Sequence, residues 1–323
     1  MQRPFYIIAH RVNDTVSISR VITEGANAIE CDVRHVDGRF IVSHNWPDLN
    51  PVDLEAYLQS IAATARNNNR LALVIFDCKE NSPTLAVPFL EAIRNHLTNQ
   101  ISLNVLISIA SYDDRQFLAS LAGQLSAREA VAIDQDDDPA RVSGFFQGLR
   151  IQNHAYGNGI AAVLWENPFA PNVPPSIMEA IAHKALRRGI RFVYVWTLDD
   201  KGSMRDYLRM GVDGIMTNDV NDLVEVIGES EFQAKVKLAA RSHKPFDQST
   251  LPAYVLTLRT GIRGSAGTDS NLRFNLVGER GTISTRINAK PTGLFEQGQT
   301  NRVTLIGEDV GTLQKLTISR DSA

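Results

Sequence analysis

Ala28-Ile29-Glu30-Cys31-Asp32-Val33-Arg34-His35-Val36-Asp37-Gly38-Arg39-Phe40-Ile41-Val42-Ser43-His44 is the stretch on which the reading of the fold turns. Its first half, Ala28–Val36, is an apolar strand run carrying two carboxylates, Glu30 and Asp32. Residues two apart on a strand emerge on the same face, so both acids point one way. Asp37-Gly38 suits a tight hairpin turn. Phe40–His44 then runs back along the first strand and returns His44 over the end where the acids sit.

Outward from this stretch, Pro4 to about Ile227 alternates short β-branched apolar runs with longer amphipathic ones, the pattern of a parallel sheet with crossover helices. The strand candidates are Phe5–Val12, Ala28–Val36, Leu71–Lys79, Asn104–Ala110, Ala130–Asp134, Ile160–Trp165, Arg191–Thr197 and Gly214–Asn218. Helical stretches fall at Pro51–Arg66, Pro83–Thr98, Asp113–Leu125, Pro139–Leu149, Pro174–Arg188, Lys201–Met210 and Val220–Ile227. Prolines near several of their starts suit the first helical position, where a missing N–H costs nothing. Eight strands of this kind predict an α/β fold, a closed (β/α)8 TIM barrel, which takes roughly 250 residues.

The segment from Glu229 to Thr250 is polar and aperiodic and reads as a short helix, a return segment and a linker. From Ala253 the texture becomes alternating strands, Tyr254–Arg259, Asn271–Val277, Thr282–Ile287, Arg302–Ile306 and Lys315–Ser319, separated by Gly-rich turns. That is an all-β module. The expected organisation is a barrel over 1–232, a tail over 233–252 and a β module over 253–323.

With 33 basic against 36 acidic residues the formal net charge is −3, so the broad basic surface that nucleic acid requires is lacking. Cys31 and Cys78 stand in apolar strand runs, without metal-ligand or redox spacing, and read as buried thiols. No run of about 18 apolar residues exists, so membrane contact would be peripheral. Met1 leads straight into an apolar strand without the features of a signal peptide. A mature secreted protein recorded without its leader would look the same, which leaves localisation open.

Asp77 and Lys79, in Phe76-Asp77-Cys78-Lys79, share a face at the end of the third strand, bringing a third carboxylate towards Glu30 and Asp32. Like charges gathered at neighbouring strand ends invite a compensating ion, and hard oxygen ligands favour Mg2+ over zinc. Alternatively, each acid pairs with a basic side chain on a rim. His10 ends the first strand and His44 the hairpin. Two histidines flanking a metal-bound phosphodiester suit an in-line displacement, one relaying a proton at the attacking oxygen and the other protonating the leaving alcohol. His35, His96, His154, His183 and His243 lack that setting. Tyr194 and Trp196 alternate inward on the seventh strand and suit a cationic head group, or simply fill the barrel. Asn218, ending the eighth, can donate to a phosphate oxygen or only shape a turn.

Together these motifs resemble the sphingomyelinase D/phospholipase D family of spider venoms and related bacterial and fungal enzymes. The resemblance spans about Pro4 to Phe232 and is carried by Ile8–Asn13, Gly25–Asp32, Val74–Lys79, Tyr194–Asp199 and Gly211–Asn218. It implies His10 and His44 as the acid/base pair and Glu30, Asp32 and Asp77 as ligands of one Mg2+. Lys79, Tyr194, Trp196, Asp199 and Asn218 would be the phosphate and head-group contacts. It also implies a choline-type phospholipid substrate at a membrane surface, secretion, and in many members a cyclic phosphate product. Two departures bear on substrate choice and closure. His44-Asn45-Trp46-Pro47-Asp48 lacks the family's usual glycine and cysteine, and Arg241–Asp247 matches the barrel-plugging tail motif poorly.

The glycerophosphodiester phosphodiesterases share this logic but normally show His-Arg-Gly and Pro-Glu-Asn, whereas His10-Arg11-Val12-Asn13 keeps only the arginine. A catalytically dead barrel serving as a binding scaffold is the non-enzymatic alternative. The C-terminal module resembles a PLAT (lipoxygenase-homology) sandwich through Tyr254–Gly261, Ala266–Asn271 and Phe295–Gly298. That implies membrane or protein docking, with Asp269 and Asn271 as conceivable Ca2+ ligands, and a whole sandwich would need strands beyond Ala323.

Overall fold

The computed structural model describes residues 2–136, 138–159, 175–248, 251–289 and 293–320. Eight parallel strands form a barrel: β1 Arg3–Ala9, β2 Ala28–Val36, β3 Leu73–Cys78, β4 Asn104–Ile109, β5 Glu129–Ile133, β6 His154–Gly159, β7 Ile190–Trp196 and β8 Gly214–Thr217. Pairing of Ile8 with Ala28 and Ala9 with Ile29 joins β1 to β2 and closes the ring. The strand expected at Ile160–Trp165 lies outside the described residues, and the sixth barrel position is filled by β6 instead. His154-Ala155-Tyr156-Gly157-Asn158-Gly159 carries two glycines and an asparagine, poor strand formers that conceal its state until neighbours pair with it.

The helix Thr15–Glu24 has no counterpart in the sequence reading, because Thr, Val, Ser and Ile fill most of it. Asp14 caps it by accepting from the N–H groups of Val16 and Ser17, and Gly25 ends it at φ 126°. The helix expected at Asp113–Leu125 shrinks to Gln116–Ala119 preceded by a 3-10 turn.

Side chains alternate cleanly across the barrel wall. Ile7, Ile29, Cys31, Val74, Phe76, Val193 and Val195 face outward to the helices. Tyr6, Ile8, Ala28, Leu73, Ile75, Phe192 and Tyr194 face inward. The interior mixes alanines with large aromatics, and Gly157 makes room for one: a Cβ there would lie 2.5 Å from Cζ of Tyr194. The same two-residue period places Glu30, Asp32 and Asp77 inside, at the C-terminal mouth.

The opposite end is closed by the chain that follows the barrel. Val236–Leu238 adds alongside the start of β1, and Ala239 and Phe246 enter the interior cluster, with Phe246 edge-on to Phe192 at 6.3 Å. Backbone carbonyls of this tail are bound by Asn27, Asn104 and Arg128, while Arg241 donates to the carbonyls of Leu71, Ala65 and Asn68. The tail thus plugs the barrel despite its poor motif match, because one buried phenylalanine and a set of backbone carbonyls suffice.

Beyond it, Ala253–Arg259 pairs with Thr300–Ile306, and Asn271–Gly278 lies between Gly281–Asn288 and Leu313–Arg320, all antiparallel. These strands pack on the helices Pro175–Ala185 and Lys201–Met210. Arg302 pairs with Glu179, Asn288 donates to both oxygens of Asp206, and Phe274, Leu276, Val303 and Leu305 join the outer core. Leu313–Arg320 is an edge strand, and its Leu313, Leu316 and Ile318 remain exposed. Cys31 and Cys78 are free buried thiols. Among the described residues no helix is long and apolar enough to cross a membrane.

Candidate active site

The hairpin forms as its turn dipeptide requires. Asp37 (φ 49°) and Gly38 (φ 76°) both sit in the left-handed region, and Val33 faces Val42 across the antiparallel pair. His44 comes directly after and is tied down from both ends. Its Nδ1 lies 3.0 Å from Asp32 Oδ1, and its carbonyl accepts from the Arg34 guanidinium at 2.9 and 3.3 Å. Glu80 braces that arginine at 2.5 Å and also accepts from the His35 N–H.

Glu30, Asp32 and Asp77 each offer a carboxylate oxygen within 4.8 Å of the others. Glu30 accepts from the Arg11 N–H at 2.7 Å, and Asp32 from the Asn13 amide at 2.7 Å. Lys79 bridges two of the acids, 2.7 Å from Asp32 and 2.5 Å from Asp77. One ammonium does not balance three carboxylates. Burial, then the charges of Asp32 and Asp77, push Glu30 well above the ordinary carboxylate range, and burial pushes Asp77 up as well. For Asp32 the cost of burial is outweighed by Lys79 and Asn13, which hold it low. Asp77 Oδ1 is buried with no hydrogen-bond partner among the described residues. A partner-poor oxygen among crowded carboxylates is what a hard divalent cation satisfies, so the residues fit such an ion.

His10 faces the same mouth. Asp199, which can only accept, takes the N–H of Asn218 at 2.8 Å and its amide Nδ2 at 2.7 Å. That orientation leaves Asn218 Oδ1 facing His10 Nδ1 at 2.9 Å. A carbonyl oxygen accepts, so Nδ1 carries the proton and neutral His10 keeps its lone pair on Nε2. Burial, the largest influence, lowers the His10 pKa despite the bond to Asn218. It therefore stays neutral near pH 7.

The other expected residues sort by depth. Trp196 is half-buried at the end of β7. Tyr194 is fully buried, and its hydroxyl donates to Asp134, so it lies beneath the mouth rather than at its surface. Asp134 itself was not singled out from the sequence. Burial, then the Asp77 charge, raises its pKa to about 7, and only its place directly after β5, at the C-terminal end of the barrel, could have marked it. Trp46 and Leu49, on the loop after His44, are 48% and 96% exposed, and the sequence pattern did not mark them either. Among the described residues no group of three His, Cys, Asp or Glu ligands gathers around Asp269.

The family model described as dermonecrotic toxin SPH matches residues 1–246. Dermonecrotic toxin LiSicTox-alphaIA2aiii of Loxosceles intermedia is 26% identical, the match covering 76% of this chain and 90% of the toxin. LhSicTox-alphaIV1iii of Loxosceles hirsuta is 25% identical over 75% of this chain and 99% of that toxin. Among solved structures, a glycerophosphodiester phosphodiesterase of Parabacteroides distasonis superposes with a TM-score of 0.50 at 16% identity, covering 71% of this chain and 98% of that one. A phosphodiesterase of Oleispira antarctica, solved with its product sn-glycerol 3-phosphate, gives 0.50 at 14% identity over 69% and 97%. At such identities the two structures speak for the barrel fold alone.

Proposed function

The chain belongs to the dermonecrotic toxin SPH family, and from that membership we propose that it is a Mg2+-dependent phospholipase D of the sphingomyelinase D type. Its substrates would be choline-type phospholipids such as sphingomyelin or lysophosphatidylcholine. The observation that carries the reading is the convergence of two buried carboxylates and a half-buried third with two histidines at one mouth, each histidine held by Nδ1.

Held by Glu30, Asp32 and Asp77, Mg2+ would neutralise their charge and polarise a phosphoryl oxygen. Neutral His10, with Nε2 free, takes the proton of the attacking hydroxyl, which is water or the lipid's own alcohol. In the second case the product is a cyclic phosphate. His44, its Nδ1–H directed at Asp32, presents Nε2 as the donor to the departing choline alcohol. Lys79 offers its ammonium to the phosphate, Asp199 fixes Asn218, and Asn218 fixes His10. Trp196 supplies the aromatic surface for a choline cation, with Tyr194 supporting it from below. Exposed Trp46 and Leu49 beside His44 support contact with a lipid surface. We further assign the barrel to 1–232 and a PLAT-like docking module to 253–323, on the strength of its antiparallel strands and sequence motifs.

Phosphorus NMR of the protein with Mg2+ and, separately, sphingomyelin, lysophosphatidylcholine and glycerophosphocholine tests the assignment. Choline release with a monoester or cyclic phosphate from either lipid is the expected result. Turnover of glycerophosphocholine alone would move the chain to glycerophosphodiester chemistry, and no turnover at all would favour a scaffold.

A further inference from the structure

At the N-terminal end of the barrel, remote from the histidines, lies a cavity of about 870 Å3. It opens between the start of β1, the barrel-closing tail, the helix Pro175–Ala185 and the first C-terminal strand. Small-molecule sites typically enclose about 300–1,000 Å3, so the volume suits a ligand rather than a stray water. Tyr6, Phe192, Ile181, Pro245 and Ile306 give it an extended apolar wall.

Two buried donors in this wall lack an anionic acceptor. The phenolic oxygen of Tyr6, a residue 2% exposed, has no hydrogen-bond partner among the described residues. Arg3, 8% exposed, donates to the carbonyls of Val212 and Leu208 but forms no salt bridge with a carboxylate among them. Burial lowers the Arg3 pKa to about 10 despite the nearby Asp213 charge. Five lysines and arginines line the cavity against two aspartates, although the whole chain is net negative. Asp213 is taken by Lys184 and Asp247 lies 3.8 Å from Lys244. Arg187 and Lys237, exposed at the rim, have no carboxylate partner among the described residues.

We propose that this cavity binds an anionic single-chain amphiphile, its phosphate or carboxylate head at the cationic side and its hydrocarbon chain along the Tyr6–Phe192 wall. The apolar wall excludes a bare anion as the best ligand, and the uncompensated cations exclude a neutral lipid. The inference is independent of the chemistry at the opposite mouth.

Isothermal titration of the full chain in EDTA, with each probe below its micelle concentration, tests it using decyl phosphate, decanoate, decanol and inorganic phosphate. One decyl phosphate or one decanoate per chain is expected, bound at least about tenfold tighter than decanol or inorganic phosphate. The stronger of the two identifies the head. Arg187→Glu/Lys237→Glu, both on the surface, weakens binding about tenfold, and Tyr6→Phe about threefold. His10→Ala leaves binding unchanged, which separates this site from the active site. Equal binding of decanol or of inorganic phosphate, no binding of either anion, unchanged affinity in the charge-reversed variant or lost affinity in His10→Ala would each overturn the proposal.

Discussion

His10 and His44 are both fixed through Nδ1, but by different partners: an amide oxygen in one case and a carboxylate in the other. A neutral partner and burial keep His10 in the base form, whereas Asp32 gives His44 a charged partner. His10→Ala and His44→Ala should each lower lipid turnover by about 10²–10⁴-fold with the melting temperature little changed. Full activity in either would end the acid/base assignment. His154 shows the opposite use of burial. Wedged against Ser143 and the Ile151 carbonyl, it has its pKa lowered by burial from 6.5 to about 4. Between those pH values the native state binds fewer protons than the unfolded chain. Its contribution to stability is therefore complete above pH 6.5 and is lost as pH falls through about 4. Urea titrations at pH 7 and pH 4 should show wild type losing about 3 kcal/mol more than His154→Gln on acidification.

The hairpin of β2 and Arg39–Val42 is the element that turns a barrel strand into a site. Its turn was legible from Asp37-Gly38, since few other dipeptides accept two positive φ angles. The loop beyond His44 was legible only in part. Ser43 anchors it, its one hydroxyl proton shared between Asp48 Oδ2 at 2.6 Å and the Asn45 carbonyl at 2.7 Å, which leaves Trp46 and Leu49 facing solvent. Exposure of that kind depends on what packs over a loop, and no local pattern encodes it. If the loop meets lipid, Trp46→Ala/Leu49→Ala should cut turnover on choline-lipid vesicles about tenfold and leave kcat on a monomeric short-chain substrate unaltered. An equal loss on both substrates would show that the loop acts within the site instead.

For the whole molecule the decisive contact is the tail inside the barrel. Phe246, 1% exposed, fills the end of the interior beside Phe192, and the surrounding carbonyls are satisfied by Asn27, Asn104 and Arg128. Phe246→Ala should lower the unfolding free energy by about 3–5 kcal/mol, read as a lower urea midpoint at unchanged slope. A change under about 1 kcal/mol would mean that the tail only rests on the barrel.

The amino-acid sequence by itself determined the barrel, its strand candidates other than the sixth, the hairpin and the convergence of three acids with two histidines. These arise from period-two alternation and from turn chemistry, which act between near neighbours in the chain. The sixth strand, the Thr15–Glu24 helix, the burial of Tyr194 against Asp134 and the plug were decided only by the tertiary structure. Each depends on partners distant in sequence: β5 and β7 supply hydrogen bonds to a glycine-rich strand, and a closed ring of strands supplies the cavity that Phe246 fills. Local preference is worth tenths of a kcal/mol per residue, and burial of one aromatic side chain outweighs several such preferences.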